Sequence, residues 1–232
     1  MKLGLNNNLV TPNVGAVGAE FSLTEISGLQ AWYKFDTNIT LNGSTVSEWG
    51  DSSGNGNDLT QTTASEQPAY NSGDIDFDGS NDYMALDSAL DLTSFTIFAV
   101  IDLDDTTNET LLGNGSTNAD FFRIAGSTWT LRTDGNSFQN NMSTTAGTNK
   151  HLLTLYTDVG ASSTTYYLEA DGTAESNAAI DNRTFTVGDI GRNSAGAQFF
   201  NGKVSEVAIF NTALSTADRE TVEQDIMTRN GL

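Results

Sequence analysis

The sequence predicts an all-β fold, a two-sheet antiparallel sandwich closed by one short C-terminal helix and preceded by an extended N-terminal arm. Three observations carry this expectation. Short runs rich in β-branched and aromatic residues follow one another from residue 29 to residue 210. Gly, Asn and Asp punctuate them at the spacing of a sandwich, and a helical period with capping signals appears only after residue 215.

Residues 1–28 scatter Leu3, Leu5, Leu9, Val10, Val14, Val17, Phe21 and Leu23 among Asn, Gly and Thr without a sustained period. They read as an arm that needs a surface, either its own domain or a neighbouring subunit. Residues 29–232 form the single domain. LQAWYKF (29–35) alternates and is rich in aromatics, as a half-buried strand does. In DIDFDG (74–79) the period of two points Ile75 and Phe77 inward and Asp74 and Asp76 outward, and DGSND makes the turn. SFTIFAVIDL (94–103) is apolar on both faces and predicts a central strand covered on both sides. FFRIA, TWTLRT, HLLTLYTD, TTYYLEADG, RTFTVGDIG and KVSEVAIF continue the series. Ser215 then caps a helix of about four turns, with Asp218 at its third position, Val222 and Ile226 on one face and Gly231 as the stop.

WGDSSGNGNDL (49–59) is the segment with the most chemistry. Gly54, Asn55 and Gly56 can curl the backbone until the oxygens of Asp51, Asn55, Asn57 and Asp58 converge. That convergence suits a hydrogen-bonded corner or a hard cation, calcium being the candidate. Glu206, which alternates with Val204, Ala208 and Phe210 in KVSEVAIF, would complete a metal site from a strand or else face solvent.

The D-S-S-G-N-G loop, AWYKFD (31–36), FDGSNDY (77–83) and GKVSEVAIFNTALS (202–215) together resemble the laminin-G-like, concanavalin-A-like lectin and glucanase superfamily, over about residues 29–232. The resemblance implies a jelly-roll sandwich with Trp32 and Trp49 in its body. Some domains of that kind carry calcium at the sandwich rim. It does not fix an activity, since such folds host lectins, adhesins, enzymes and virion parts.

Composition narrows the classes. Thirty acidic residues against ten basic give a formal charge of −20, which repels phosphate backbones and disfavours nucleic acid. With no cysteine and His151 as the single histidine, neither a thiolate nucleophile nor an ordinary zinc site is supplied. No apolar run reaches the length of a membrane span or a signal-peptide core, so membrane insertion and a secretory signal are not expected. A glucanase strand with E-x-D-x-x-E acids is missing, and no G-x-S-x-G elbow accompanies His151. The protein is therefore expected to be non-catalytic. Aromatic candidates for sugar stacking outside the core are Tyr70, Trp129 and Phe138.

The resemblance extends to domains of bacteriophage structural proteins. With the apolar arm it implies a virion surface protein assembled in the host cytoplasm: a capsid decoration, fibre or tail-associated component. Capsid or tail proteins would be held through the arm and surface glycans through the jelly roll, with homo-oligomerisation left open. The alternatives are a free carbohydrate-binding lectin or adhesin and a polysaccharide-cleaving enzyme.

Overall fold

A computed structural model describes residues 21–115, 120–134, 138–144, 147–159, 164–180, 183–193 and 198–232. In chain order its strands are β1 (Leu29–Tyr33), β2 (Ile39–Asn42), β3 (Thr45–Trp49), β4 (Leu59–Thr60), β5 (Ala69–Asn71) and β6 (Asp74–Asp78). Then come β7 (Met84–Leu92), β8 (Thr96–Leu103), β9 (Glu109–Gly113), β10 (Phe121–Ala125), β11 (Thr128–Thr133) and β12 (Phe138–Ser143). The last are β13 (Lys150–Val159), β14 (Thr164–Ala170), β15 (Thr173–Ile180), β16 (Phe185–Ile190) and β17 (Asn201–Phe210), followed by the helix α1 (Thr216–Asn230).

All the pairings are antiparallel and fall into two runs. The first is β15-β14-β13-β8-β17, with β1 and β6 sharing the far edge of β17. The second is β4-β7-β16-β9-β10-β11-β12. β3 links them: β2 pairs along one of its edges, and its other edge bonds to β4 and to β5, which continues to β6, so the ladder nearly closes on itself.

Alternation sorts the side chains into two apolar clusters. Ile97, Ala99, Ile101 and Leu103 of β8 enter the main core with Phe77, Phe185, Trp49 and Trp129, while Phe98 and Val100 face a second cluster under α1. β8 is thus covered on both sides, as its unbroken apolar run predicts. In β6, Ile75 and Phe77 are buried and the acids are not.

α1 lies over the second cluster through Val222 and Ile226. The Ser215 hydroxyl accepts the Asp218 N–H at 3.2 Å, and Gly231 ends the helix at φ 72°. Of the expected arm, residues 1–20 lie outside the described residues. Its last part forms a short 3-10 turn, Leu23–Glu25, that buries Leu23 completely in this cluster, with Phe21 and Ile26 packed beside it.

β17 departs from the simple alternation. Opposite β8, Val204 pairs with Ile101 but Glu206 pairs with Val100, leaving Ser205 as an extra residue. Val204 consequently faces the main core, whereas Glu206 joins Ala208 and Phe210 on the helix side. The expectation that Val204 and Glu206 share a face is corrected by this bulge. The Glu206 carboxylate, 1% exposed, accepts from Trp32 Nε1 (2.7 Å), Arg229 Nη2 (2.8 Å), Arg229 Nε (3.1 Å) and Asn230 Nδ2 (2.7 Å). It ties β1 and the last turn of α1 to β17.

The first turns of α1 use a second buried polar group. Arg219 reaches Glu169 at 3.4 Å and lies 4.0 Å above the Tyr156 ring, whose hydroxyl donates to Glu169 at 2.9 Å. Burial, with Glu169 close by, pushes the Glu223 carboxyl up to about 7. Because this pKa rises on folding, the stability it contributes is complete below about 4.5 and is lost as pH climbs through about 7. Glu223→Gln should remove that pH dependence and be more stable than the wild type at pH 8, by up to about 3 kcal/mol in denaturant unfolding. Parallel pH profiles for the two proteins would contradict the assignment.

Candidate functional site

The loop after β3 is organised by the needs of an edge. β1 is bonded to β17 on one side only, so the main-chain groups of its other side require partners. Residues 51–57 supply them. Asp51 Oδ1 accepts the N–H of Trp32 and of Ser53, both at 2.8 Å, and Oδ2 accepts Ser53 Oγ at 2.6 Å and Asn57 N at 3.1 Å. The side-chain amide of Asn55 donates to the carbonyls of Leu29 (2.9 Å) and Gln30 (3.0 Å), and that of Asn57 donates to Gln30 at 2.8 Å. Asp58 Oδ1 accepts the Asp51 N–H at 2.7 Å. Gly54 (φ 89°) and Gly56 (φ 76°) take the left-handed backbone their positions predict.

Four of the five residues considered as calcium ligands, Asp51, Asn55, Asn57 and Asp58, are therefore brought together, in the geometry of a hydrogen-bonded corner. The four donors on Asp51 occupy the acceptor sites of its carboxylate. Glu206 stands apart from them with its own four donors under α1. Among the described residues no three His, Cys, Asp or Glu side chains group in a way that could hold a metal ion.

Beside the corner opens a cleft of about 610 Å³. Its walls are the β1–β2 connection with Asp36 and Asn38, β2 with Thr40 and Leu41, Glu48 of β3, and Tyr70 of β5, and Asp51 and Asp58 reach its floor. Asp36 (φ 46°) and Asn38 (φ 56°) both adopt left-handed backbone, which folds the connection back against Gly50. A Cβ on Gly50 would lie 3.0 Å from the Asn38 Cβ, and Gly50 N donates to the Asn38 carbonyl at 2.8 Å. The Tyr70 hydroxyl donates to Asp36 Oδ1, and that bond raises the phenol above its ordinary pKa. Leu41, 46% exposed, is one of two large hydrophobic side chains open to solvent among the described residues. Among the described residues no lysine or arginine lines the cleft. An aromatic ring and a leucine next to hydroxyl, amide and carboxylate acceptors have the chemistry to receive a neutral polyhydroxylated ligand, with a C–H face on the ring and O–H groups donating to the acceptors.

The other aromatic candidates divide. Trp129 is fully buried, stacked on Phe122 at 4.4 Å in the main core, which corrects its expected exposure. The side chain of Phe138 lies outside the described residues. Trp32 and Trp49 are in the body of the fold as expected. His151 bonds Asp171 at 2.6 Å, and Asp171 also accepts the Leu152 N–H, which fixes a strand start.

Sequence reasoning missed one acid pair. Burial, with Asp105 beside it, pushes the Glu109 carboxyl up to about 7, while bonds from Thr107 and Asn201 lower Asp105 to about 2. Glu109 accepts Asn201 N at 2.6 Å and Asp105 accepts Asn201 Nδ2 at 3.0 Å, so the pair fastens the start of β17. Its signal was only the acid spacing in DLDDTTNE.

Replacing Asp51 by Ala should cost about 2–4 kcal/mol through the loss of charge-assisted bonds to β1. The melting temperature of the wild type should be the same with excess calcium and with chelator. A rise with calcium that vanishes in Asp51→Ala would place the cation at the corner.

Residues 78–218 match the model of the family described as the concanavalin A-like lectin/glucanases superfamily. Among solved structures, Trypanosoma rangeli sialidase in complex with the inhibitor DANA aligns with a TM-score of 0.57 at 14% identity, over 85% of this chain and 33% of the sialidase. The chain thus spans about a third of that enzyme's length. Domain 4 of a GH43 extracellular arabinanase from Geobacillus stearothermophilus, in complex with arabinotriose, aligns with a TM-score of 0.54 at 16% identity, over 87% of this chain and 97% of that domain. The binding domain of botulinum neurotoxin serotype D/C gives 0.57 at 14%, over 88% and 53%. At these identities the likeness is one of fold. No curated protein sequence matches the chain. With 78–218 covering more than half of its residues, the chain belongs to the concanavalin A-like lectin/glucanases superfamily.

Proposed function

We propose that this protein is a non-catalytic carbohydrate-binding module displayed on the surface of a virus particle, with the cleft at Tyr70 as its sugar site. The observation that carries the reading is the composition of that cleft: an aromatic ring and an exposed leucine among Asn38, Thr40, Asp36 and Glu48, with no cationic side chain among the described residues that line it. The arabinanase domain in complex with arabinotriose supports it by analogy, since 97% of that domain aligns with this chain. The non-catalytic part rests on how the acids are used. Asp51, Glu206, Asp105 and Glu109 hold main-chain or side-chain donors of the fold, whereas a retaining glycosidase needs two carboxyls free to face the scissile bond. The virion setting rests on residues 1–20, whose Leu3, Leu5, Leu9, Val10, Val14 and Val17 call for a partner surface.

A panel of neutral plant, algal and bacterial oligosaccharides tests this reading by calorimetry and reducing-end release together. At least one neutral oligosaccharide should bind with a dissociation constant of about a millimolar or below, weakening about tenfold in Tyr70→Ala, with no new reducing ends. The protein lacking residues 1–20 should keep that affinity and lose its place on particles. Turnover abolished in Glu109→Gln or Glu48→Gln would replace this reading with a hydrolase, and normal particle occupancy without residues 1–20 would remove the arm as the attachment.

A further inference from the structure

Six arginines occur in the chain, and four of them pair with carboxylates: Arg183 with Asp134, Arg192 with Asp189, Arg219 with Glu169 and Arg229 with Glu206. Among the described residues Arg123 and Arg132 have no such partner, although acids outnumber bases by thirty to ten. Both lie on the outer face of the β9-β10-β11 run, opposite the core side chains Phe122, Ile124, Trp129 and Leu131. Arg132 faces Phe121 across the β10–β11 ladder, and Arg123 is two residues along β10. Their guanidinium carbons stand 5.2 and 4.5 Å from the Phe121 ring centroid.

Phe121 is 2% exposed yet belongs to neither apolar cluster, the one buried large hydrophobic side chain among the described residues of which this is true. It is a platform beneath two cations. The two charges face each other without an intervening acid, and burial together with Arg132 lowers the pKa of Arg123. Arg123 has one hydrogen-bond partner among the described residues, the Gln198 side-chain oxygen at 2.5 Å, and its Nε is buried without an acceptor. Directly across β9 from Arg123, Thr110 is fully buried and its hydroxyl is also unpartnered. A bulge at Leu111 lets Leu111 and Leu112 both enter the core and turns Thr110 toward Arg123. Arg123 Nε and the Thr110 hydroxyl are thus left without a hydrogen-bond partner among the described residues.

We propose that Arg123 and Arg132, over Phe121 and beside Thr110, form a second recognition site that binds an oxyanion carried by a saccharide, either a uronate carboxylate or a sulfate ester. Guanidinium pairs present parallel N–H donors that match the two oxygens of such a group, and the aromatic platform keeps them in place. The surrounding negative field rejects polyanions that do not seat their charge on this pair. The site is distinct from the Tyr70 cleft and depends on the carbohydrate-binding reading only for the carrier of the oxyanion.

Three probes decide it by calorimetry at two salt concentrations: an oligogalacturonate, a sulfated galactan oligomer and a neutral galactan oligomer, with inorganic sulfate as reference. One of the two anionic oligomers should bind at least about tenfold more tightly than the neutral oligomer and than inorganic sulfate, weakening as salt rises. Which one binds identifies the oxyanion. Arg123→Gln with Arg132→Gln should lose about tenfold or more for that oligomer, while Tyr70→Ala leaves it unchanged and loses neutral sugars. Should the Gln pair fold poorly, Arg123→Lys with Arg132→Lys keeps the charge and should still weaken binding several-fold, because the forked geometry is gone. Anionic binding unaltered in both pairs, equal affinity for inorganic sulfate, or no anionic binding at millimolar concentration would each overturn the proposal. Loss of neutral binding in Tyr70→Ala is read separately, so failure of the cleft and failure of this site are distinguishable.

Discussion

The extra residue at Ser205 is the constraint on which the rest of the structure depends. β17 is bonded along both edges, to β8 on one side and to β1 and β6 on the other, so its register fixes theirs. Without the bulge, a strict period of two would keep Glu206 on the side of Val204 and drive a carboxylate into the main core. With it, Glu206 turns to the helix side and meets Trp32, Arg229 and Asn230. A buried ion pair of this kind adds little net stability against an apolar replacement, but removing one member leaves a charge without its partner, at about 3–5 kcal/mol. Its consequence is specificity: α1 has one position over Phe98, Val100 and Phe210, and Leu23 is covered by it.

The same logic explains much of the acid surplus. Asp51 satisfies the open side of β1, Asp171 holds the start of β13, Asp134 accepts from Thr184 N, and Glu109 with Asp105 holds the start of β17. Carboxylates bonded to backbone N–H groups do the work that capping residues and turn asparagines do elsewhere. Their oxygens are engaged by donors of the fold. The proposed recognition sites accordingly use other side chains, Tyr70 with its neighbours in the cleft and the two arginines without carboxylate partners among the described residues.

The sequence made local features legible where one rule acted alone. Ser215, Asp218 and Gly231 mark the helix because capping is a property of a few adjacent residues, and Ile75 and Phe77 mark β6 because its alternation is unbroken. SFTIFAVIDL announced a strand with two covered faces. The corner at Asp51 to Asp58 was legible as a place, and its two readings differed only in what the oxygens bind. Glu206 was misplaced because a bulge leaves no mark in the residue pattern. Trp129 was misjudged although the alternation of TWTLRT sets Trp129 and Leu131 against Thr128, Thr130 and Arg132, and its pairing with β10, where Phe122 is inward, agrees with that phase. The Arg123–Arg132 juxtaposition joins two strands and needed their register. Asp36 and Tyr70, 34 residues apart, meet only once β5 is placed beside β3.

Fold membership alone leaves activity open, and the division of side chains between fasteners and recognition surface is what gives it content. The most direct measurement is amide chemical-shift mapping of the labelled protein during titration with a neutral oligosaccharide. Shifts should be confined to Asn38–Leu41, Glu48 and Tyr70, with the amides of Trp32, Ser53 and Asn57 unmoved because Asp51 continues to hold them. Shifts centred on those three amides, or on Glu109 and Asn201, would show that the ligand reaches the carboxylates that fasten the fold and would contradict that division.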